Sequence, residues 1–503
     1  MLTLCSVHGP EHQQEVDEEG LATQLAQLCP ALCGCAAHIA AGRFDDAISC
    51  LAYIKGLASL CDGPLQRLAK IMADGLGRCL LRVIPDPRLG IINKALIDPS
   101  SCFDQRSIRT ARYNFVKLLP FLKMAYVAMN RVILDAMENE KFVHIIDLSG
   151  PAAHPWQWLK IMRAFRRRPE GAPDLRITVV HDDAAFLAET SALLREKAEA
   201  LDMAFSFHGL LLRGRGLETL DFGGGGDLHD ALALKSGYAR AFSCALQMHR
   251  LLAGAVDDVL PEMRKMNHIH YPSPTTPLSS SAQATPSPQE EQRLVIVPLP
   301  PPLLARFLSA LRAASAKVVA VAEQEAGGHN APAGFAARFE AALHHYAALF
   351  DALAEDGAAE GQPLMQRAQV EQLLLGEEIR NMLARDDGAV ERHEPLQLWA
   401  ARIAGAGFEA VPLSYAAKME ADEVLRKRRV RGGYENRPHE GCLLLCRSGR
   451  PLYAVSAWRP WPSEEASVFG SSHQQQQYIV VPGQIAPTWT WPQEQAPVHS
   501  FTG

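Results

Sequence analysis

Phe142-Val143-His144-Ile145-Ile146-Asp147-Leu148 is the stretch on which the fold turns. It is short, rich in β-branched residues and almost wholly apolar, which fits a strand buried on both faces of a parallel sheet rather than one with a wet face. Downstream, apolar residues recur at helical spacing over 156–165, at strand spacing over 175–180 (Leu-Arg-Ile-Thr-Val-Val), and at helical spacing again over 184–201. A weaker strand is expected near 204–207, another over 239–246, a helix through His249, and a strong strand over 317–322. Strands alternating with helices predict an α/β, doubly wound parallel sheet with right-handed crossovers. Helices are expected at 334–355, 367–384, 391–404 and 416–428. They surround a segment at 408–413 and two close strands, 441–447 and 451–457, joined at Ser448-Gly449-Arg450. A doubly wound sheet ending in an antiparallel pair is the Rossmann-like outline of the methyltransferases, an analogy of fold and not of function.

Upstream of the strand the pattern is helical throughout. Leu21, Leu25, Leu28, Leu32 and Cys35, then Leu51, Ile54, Leu57 and Leu60, are spaced for helices that Pro30, Gly42 and Gly63-Pro64 interrupt. The seven-residue step from Leu21 to Leu28 is not sustained long enough for a coiled coil. Residues 21–115 are therefore expected to form an α-helical cap, and 116–460 the Rossmann-like core. The polar, acidic residues 1–20 and the loose composition of 461–503 are expected to be disordered tails. Between Pro272 and Pro288, 13 of 17 residues are Ser, Thr or Pro, so 272–292 is expected to be a disordered insertion. Its four Ser-Pro or Thr-Pro pairs are candidate sites for proline-directed phosphorylation, against the plainer reading of an inert linker.

The chain has 503 residues, enough for at least one large core, and 48% hydrophobic with 21% charged residues excludes wholesale disorder. Fifty Lys and Arg against 56 Asp and Glu give a formal charge of −6, so no global field recruits polyanions. Eight of eleven cysteines fall within the first 102 residues and no CxxC pair occurs, which argues against a disulfide framework or zinc ribbon. Residues 1–42 lack Lys and Arg, which a secretory or transit leader needs, and no apolar run approaches a membrane span. A reducing, soluble, intracellular protein without membrane association is expected.

Chemistry is hard to find. A nucleotide pocket wants a Gly-rich turn after the first strand, yet the chain offers Asp147-Leu148-Ser149-Gly150-Pro151-Ala152-Ala153-His154-Pro155, stiffened by two prolines. Asp147, Ser149, Gly150 and Asp182 are the candidate contacts of a ligand crevice beyond the strand ends. Against this, Asp182 or Asp183 suits a cap for the helix at 184, and Asp147 suits hydrogen bonds from its own turn. No P-loop, nucleophile elbow or HExxH motif is present. Cys29, Cys33, Cys35 and His38 lie on apolar helices and read as core, and no metal ligand is assigned. The basic run Arg426, Lys427, Arg428, Arg429 and Arg431 reads equally as a nuclear-import or phosphate-contact patch and as a solvated helix end.

Val143, His144, Ile145, Ile146 and Asp147 form the pentapeptide by which the chain resembles the plant GRAS transcriptional regulators. The resemblance runs in order from about 21 to 460. Leu57-Ala58-Ser59 and Gln66-Arg67-Leu68-Ala69 resemble the first leucine-rich region, and 246–252 the end of the second. His345-Tyr346 with Phe350, and Leu375-Gly376-Glu377-Glu378-Ile379-Arg380-Asn381, resemble the PFYRE region, whereas Ser456, Ala457 and Trp458 with Arg459 match the closing SAW region. Arg392-His393-Glu394, Pro412-Leu413-Ser414-Tyr415 and Pro451-Leu452-Tyr453 look most like the Scarecrow-like branch. The resemblance implies a non-enzymatic nuclear transcriptional regulator acting through protein–protein interactions in gibberellin signalling and root or shoot development. It implies as partners other GRAS proteins of DELLA or Scarecrow type and zinc-finger factors of the indeterminate-domain kind, with promoter DNA reached indirectly and homo- or heterodimers through the cap. No cofactor is expected. Only Gln157-Trp158 remains of the usual stretch after the pentapeptide, Glu377 replaces the usual Arg, and Cys446 replaces a common Trp. The alternative is a Rossmann-like enzyme or receptor for S-adenosylmethionine or a small hormone-like ligand, and a third reading is autonomous DNA binding through Arg426 to Arg431.

Overall fold

A computed structural model describes residues 26–58, 63–83, 104–212, 217, 220, 227–252, 295–298, 300–327, 329, 334–359, 364–383, 393–428, 433–461 and 478–481. The acidic N-terminus, the Ser/Thr/Pro insertion and most of 462–503 lie outside them.

The chain opens with helices α1 (Leu28–Ala40), α2 (Phe44–Ala58) and α3 (Pro64–Val83). α1 buries Leu28, Leu32, Cys35, Ala36 and Ile39, one apolar stripe at helical spacing. Helix α4 (Gln105–Leu118) starts where the Asp104 carboxylate accepts the Ser107 backbone N–H at 2.6 Å. Helix α5 (Phe121–Ala136) buries residues around most of its circumference because it is enclosed by sheet and helices.

The core then follows: β1 (Phe142–Asp147), α6 (Pro155–Arg166), β2 (Asp174–His181), α7 (Ala184–Ala200), β3 (Phe205–Leu211), the short α8 (Asp227–Ala231) and β4 (Ala239–Ala245). After β5 (Val295–Pro298) come α9 (Pro302–Ala313), β6 (Ala316–Gln324), α10 (Phe335–Ala359), α11 (Leu364–Val370) and α12 (Gly376–Leu383). The last part comprises α13 (Leu396–Gly405), β7 (Phe408–Ala410), α14 (Tyr415–Arg428), β8 (Tyr434–His439), β9 (Cys442–Arg447), β10 (Arg450–Pro460) and β11 (Tyr478–Val481). Among the described residues the main sheet has the order β3-β2-β1-β4-β6-β10-β9-β8, with β7 also on β10. The first five strands are parallel, and β10, β9, β8 and β7 join antiparallel. This is the Rossmann-like α/β sheet with an antiparallel end that the sequence predicts.

Three elements differ from expectation. The segment at 408–413, left without an assigned element, contributes a three-residue strand, Phe408–Ala410. β8 was unforeseen, because its polar composition and Pro438 suit an edge strand, which is where it lies. The tail expected to be loose from 461 contributes β11, paired with β5 from Tyr478↔Pro298 to Val481↔Val295. The helical layer also draws on later chain, since α1 and α3 pack on α10, and α3 packs on α12.

Candidate functional site

The turn after β1, where a Rossmann enzyme would hold phosphates, is filled by its own side chains. Asp147 is fully buried, and its carboxylate accepts the Ser149 backbone N–H at 2.9 Å and the Trp158 indole N–H at 2.9 Å. Burial pushes its pKa up to about 6, against the pull of the Ser149 and Trp158 hydrogen bonds. Ser149 Oγ in turn accepts the Ala245 N–H at 3.1 Å, stitching the turn to β4. Gly150 has φ +50°, and a Cβ there would stand 3.0 Å from Gln247 Oε1, so the approach above the turn is occupied. Asp147, Ser149 and Gly150 are thus internal.

After β2 the two acids divide the roles between which the sequence could not choose. Asp183 caps α7, accepting from Ala185 N at 2.9 Å and Phe186 N at 3.2 Å. Asp182 receives both Arg112 nitrogens of α4 at 3.0 Å, a bidentate pair that bolts α4 to the sheet and leaves no free carboxylate for a ribose.

A cavity of about 400 Å³ lies beside these groups. Ile108, Phe115, Val116, Leu122 and Phe186 make it mainly apolar, with Arg109, Arg112, Asp182 and Glu189 among its polar lining, so of the crevice residues expected from sequence only Asp182 reaches it. His249, Gln324 and Glu378 also line it, and they belong to a buried polar network. Glu378 Oε1 accepts Tyr346 Oη at 2.8 Å and Gln324 Nε2 at 2.6 Å, and pairs with His393 Nε2 at 2.7 Å. Burial opposes the Glu378 charge, but the His393 contact and its neighbours hold its pKa down to about 2. Burial pulls His345 down to about 3, a neutral imidazole paired through Nε2 with Gln324 Oε1 at 2.7 Å. Sequence reasoning missed this network because its members are scattered over more than a hundred residues and share no diagnostic spacing.

The match to known proteins spans nearly all of this architecture. The GRAS domain family model matches residues 28–459. The chain belongs to the GRAS domain family. It is 34% identical over 480 residues to Scarecrow-like protein 3 of Arabidopsis thaliana, covering 91% of this chain and 93% of that one. It is 28% identical to the DELLA protein RGL1 of the same plant, covering 86% and 70%. The crystal structure of SCL7 in Oryza sativa superposes with a TM-score of 0.62 at 25% identity, over 86% of this chain and 99% of that one.

The motifs of this GRAS domain are internal. Val143, His144, Ile145, Ile146 and Asp147 are all buried, and His144 Nε2 meets Thr178 Oγ1 at 2.8 Å. Gln157 and Trp158 are buried as well. Ser456, Ala457 and Trp458 lie in β10, with the Trp458 indole N–H donating to Ser456 Oγ at 2.9 Å. Trp458 therefore belongs to the core, whereas Arg459 beside it is exposed and pairs with Glu409. Glu377, which replaces the usual Arg, pairs with Arg380 one turn on. The cysteines of α1 are free thiols, and burial pushes Cys35 up to about 12, as suits an inert core residue. Of the basic run, Arg426 and Lys427 are exposed and both pair with Glu423, Arg428 ends α14, and Arg429 and Arg431 lie outside the described residues. Among the described residues no helix is long and apolar enough to cross a membrane.

Proposed function

We propose that the protein is a non-enzymatic nuclear regulator of transcription that works by binding other proteins, in gibberellin signalling and root or shoot development. The observation that carries this reading is the closed turn after β1. Asp147, Ser149 and Gly150 are committed to Trp158, Ala245 and the space beside Gln247, so the ordinary cradle for a dinucleotide or methyl donor is filled. Relatives with Scarecrow-like and DELLA names support the same reading. Partners are other GRAS proteins and indeterminate-domain zinc-finger factors, with DNA reached through them. The helical cap is the docking face, where Ile48 and Tyr53 of α2 stand 50% and 52% exposed, and dimers form through it. Affinity purification from plant nuclei followed by mass spectrometry is expected to recover such factors. A chain confined to the cytoplasm, or recovered without them, would refute the reading.

The cavity of about 400 Å³ favours a second reading, a receptor for a small and largely apolar ligand. A thermal-shift screen separates the two, since a ligand at 100 times its dissociation constant stabilises by about 2.7 kcal/mol. S-adenosylmethionine is expected to give no shift.

A further inference from the structure

We propose that His249, Glu323 and His393 form a binding site for a divalent transition metal of the zinc class. The three come from separate parts of the fold: the turn Met248–Leu252 after β4, the carboxyl end of β6, and the segment leading into α13. All three are buried, and one ligand atom from each lies within 4.8 Å of the other two. A tetrahedral ion with bonds of about 2.0–2.2 Å holds its ligand atoms roughly 3.4 Å apart, so small side-chain adjustments close the set. His249 Nδ1 and Glu323 Oε2, now 2.9 Å apart, would part by about 0.5 Å to admit the ion.

The surroundings orient these ligands as a metal site requires. Glu323 Oε1 accepts the backbone N–H groups of Gln247 and Met248 at 2.9 and 2.6 Å, fixing the carboxylate plane and leaving Oε2 toward His249. His393 gives its Nε2 to Glu378 Oε1, and its buried Nδ1 has no hydrogen-bond partner. A carboxylate holding one imidazole nitrogen while the other bears the free lone pair is the usual outer support of a metal-bound histidine.

A second observation points to an occupant. His329 is 0% exposed, both its ring nitrogens lack a hydrogen-bond partner, and its ring lies 5.6 Å from that of His393. A buried polar atom left unpartnered is expensive, and the two His329 nitrogens, His345 Nδ1 and His393 Nδ1 are four such atoms on rings that neighbour one another. Water can satisfy such nitrogens singly, but it does not call for two imidazoles and a carboxylate converging on one point. Two imidazoles with one carboxylate are a donor set that zinc takes readily and that calcium and magnesium, which want oxygen, do not.

The test uses the full-length chain stripped with a chelator and titrated with Co²⁺. One equivalent per chain is expected, giving visible ligand-field bands without a thiolate charge-transfer band, and Zn²⁺ should displace it. His249→Gln and Glu323→Gln should each lower the affinity at least tenfold with the circular dichroism unchanged, whereas the exposed His344→Ala should not. X-ray absorption on the loaded native chain needs no substitution and should show nitrogen and oxygen donors alone. No uptake, sulfur ligation, or affinity untouched in folded variants would overturn the proposal.

Discussion

Trp458→Ala is expected to destabilise the protein rather than remove a partner contact. The residue sits where β10 pairs with β6 on one side and β7 on the other, opposite Val319 and Ala410. It is 3% exposed and packs in the cluster that holds Trp399, Phe408 and Phe307. Truncating a buried Trp costs about 3–5 kcal/mol, the transfer loss plus the cavity left behind. The family match spans 28–459, and at about 2.1 cal/mol/K per residue a cooperative unit of that size unfolds with an entropy near 0.9 kcal/mol/K, so ~4 kcal/mol lowers Tm by about 4–5 °C. Trp458→Phe keeps most of the volume but drops the N–H that satisfies Ser456 Oγ, and should lose about 1–2 °C. Differential scanning fluorimetry reads both. Partner binding, measured well below the transition, should survive in each variant. A Trp458→Ala chain with unchanged Tm and lost binding would refute the assignment of this tryptophan to the core.

Two further predictions concern charge. Glu371 is 1% exposed and holds Arg67 of α3 through contacts of 2.9–3.1 Å, so Glu371→Ala should cost about 3–5 kcal/mol, and Arg67→Met with Glu371→Leu should recover at least half of it by thermal melt. The second follows from burial. It depresses His144 to about 3 and His181 to about 4 in the folded chain, below the free value of 6.5, so both stabilise fully above pH 6.5 and lose that contribution as pH falls toward the folded values. At pH 5 the loss is about 2 kcal/mol each, partly offset by Asp147, whose raised pKa regains roughly 1 kcal/mol as it protonates. These three groups by themselves lower Tm by about 3 °C from pH 7 to 5, and His144→Gln should flatten the slope. A Tm that rose toward pH 5 would contradict it.

The parallel half of the sheet was legible because buried strands carry uninterrupted β-branched runs, as in Ile145-Ile146 and Ile177-Thr178-Val179-Val180, and their helices show the 3.6-residue period. What escaped lacks such a signal. β8 is half exposed and polar, so its pairing with β9 is decided by tertiary contact. The continuous helical pattern at 367–384 hides a π-helical turn at Glu371–Leu375, a change of hydrogen-bond partner that leaves no mark on periodicity. Asp182 and Asp183 are indistinguishable in sequence, because which acid faces the N-terminus of α7 is a matter of backbone angle. The histidine cluster escaped since His249, His329, His345 and His393 meet only when the chain has folded.

The carboxyl ends of the parallel strands, where an open α/β sheet ordinarily receives its ligand, are here the seam between sheet and helical layer. Arg112 reaches from α4 to Asp182 after β2, Glu323 at the end of β6 pairs with His249 after β4, and Glu378 of α12 gathers Gln324, Tyr346 and His393. Each of these buried charge-assisted contacts loses a large share of its worth if one partner shifts by an ångström, so the helical layer is held in one position on the sheet. For the docking role proposed for α2, a layer fixed in that way avoids the ordering cost that a mobile binding segment meets on association. The cavity lies in this seam, and Pro151 to Pro155 of the turn after β1 form part of its wall. The cavity is walled by α4 and α12 together with the ends of β2 and β6, so a small molecule bound there would touch helices and sheet at once.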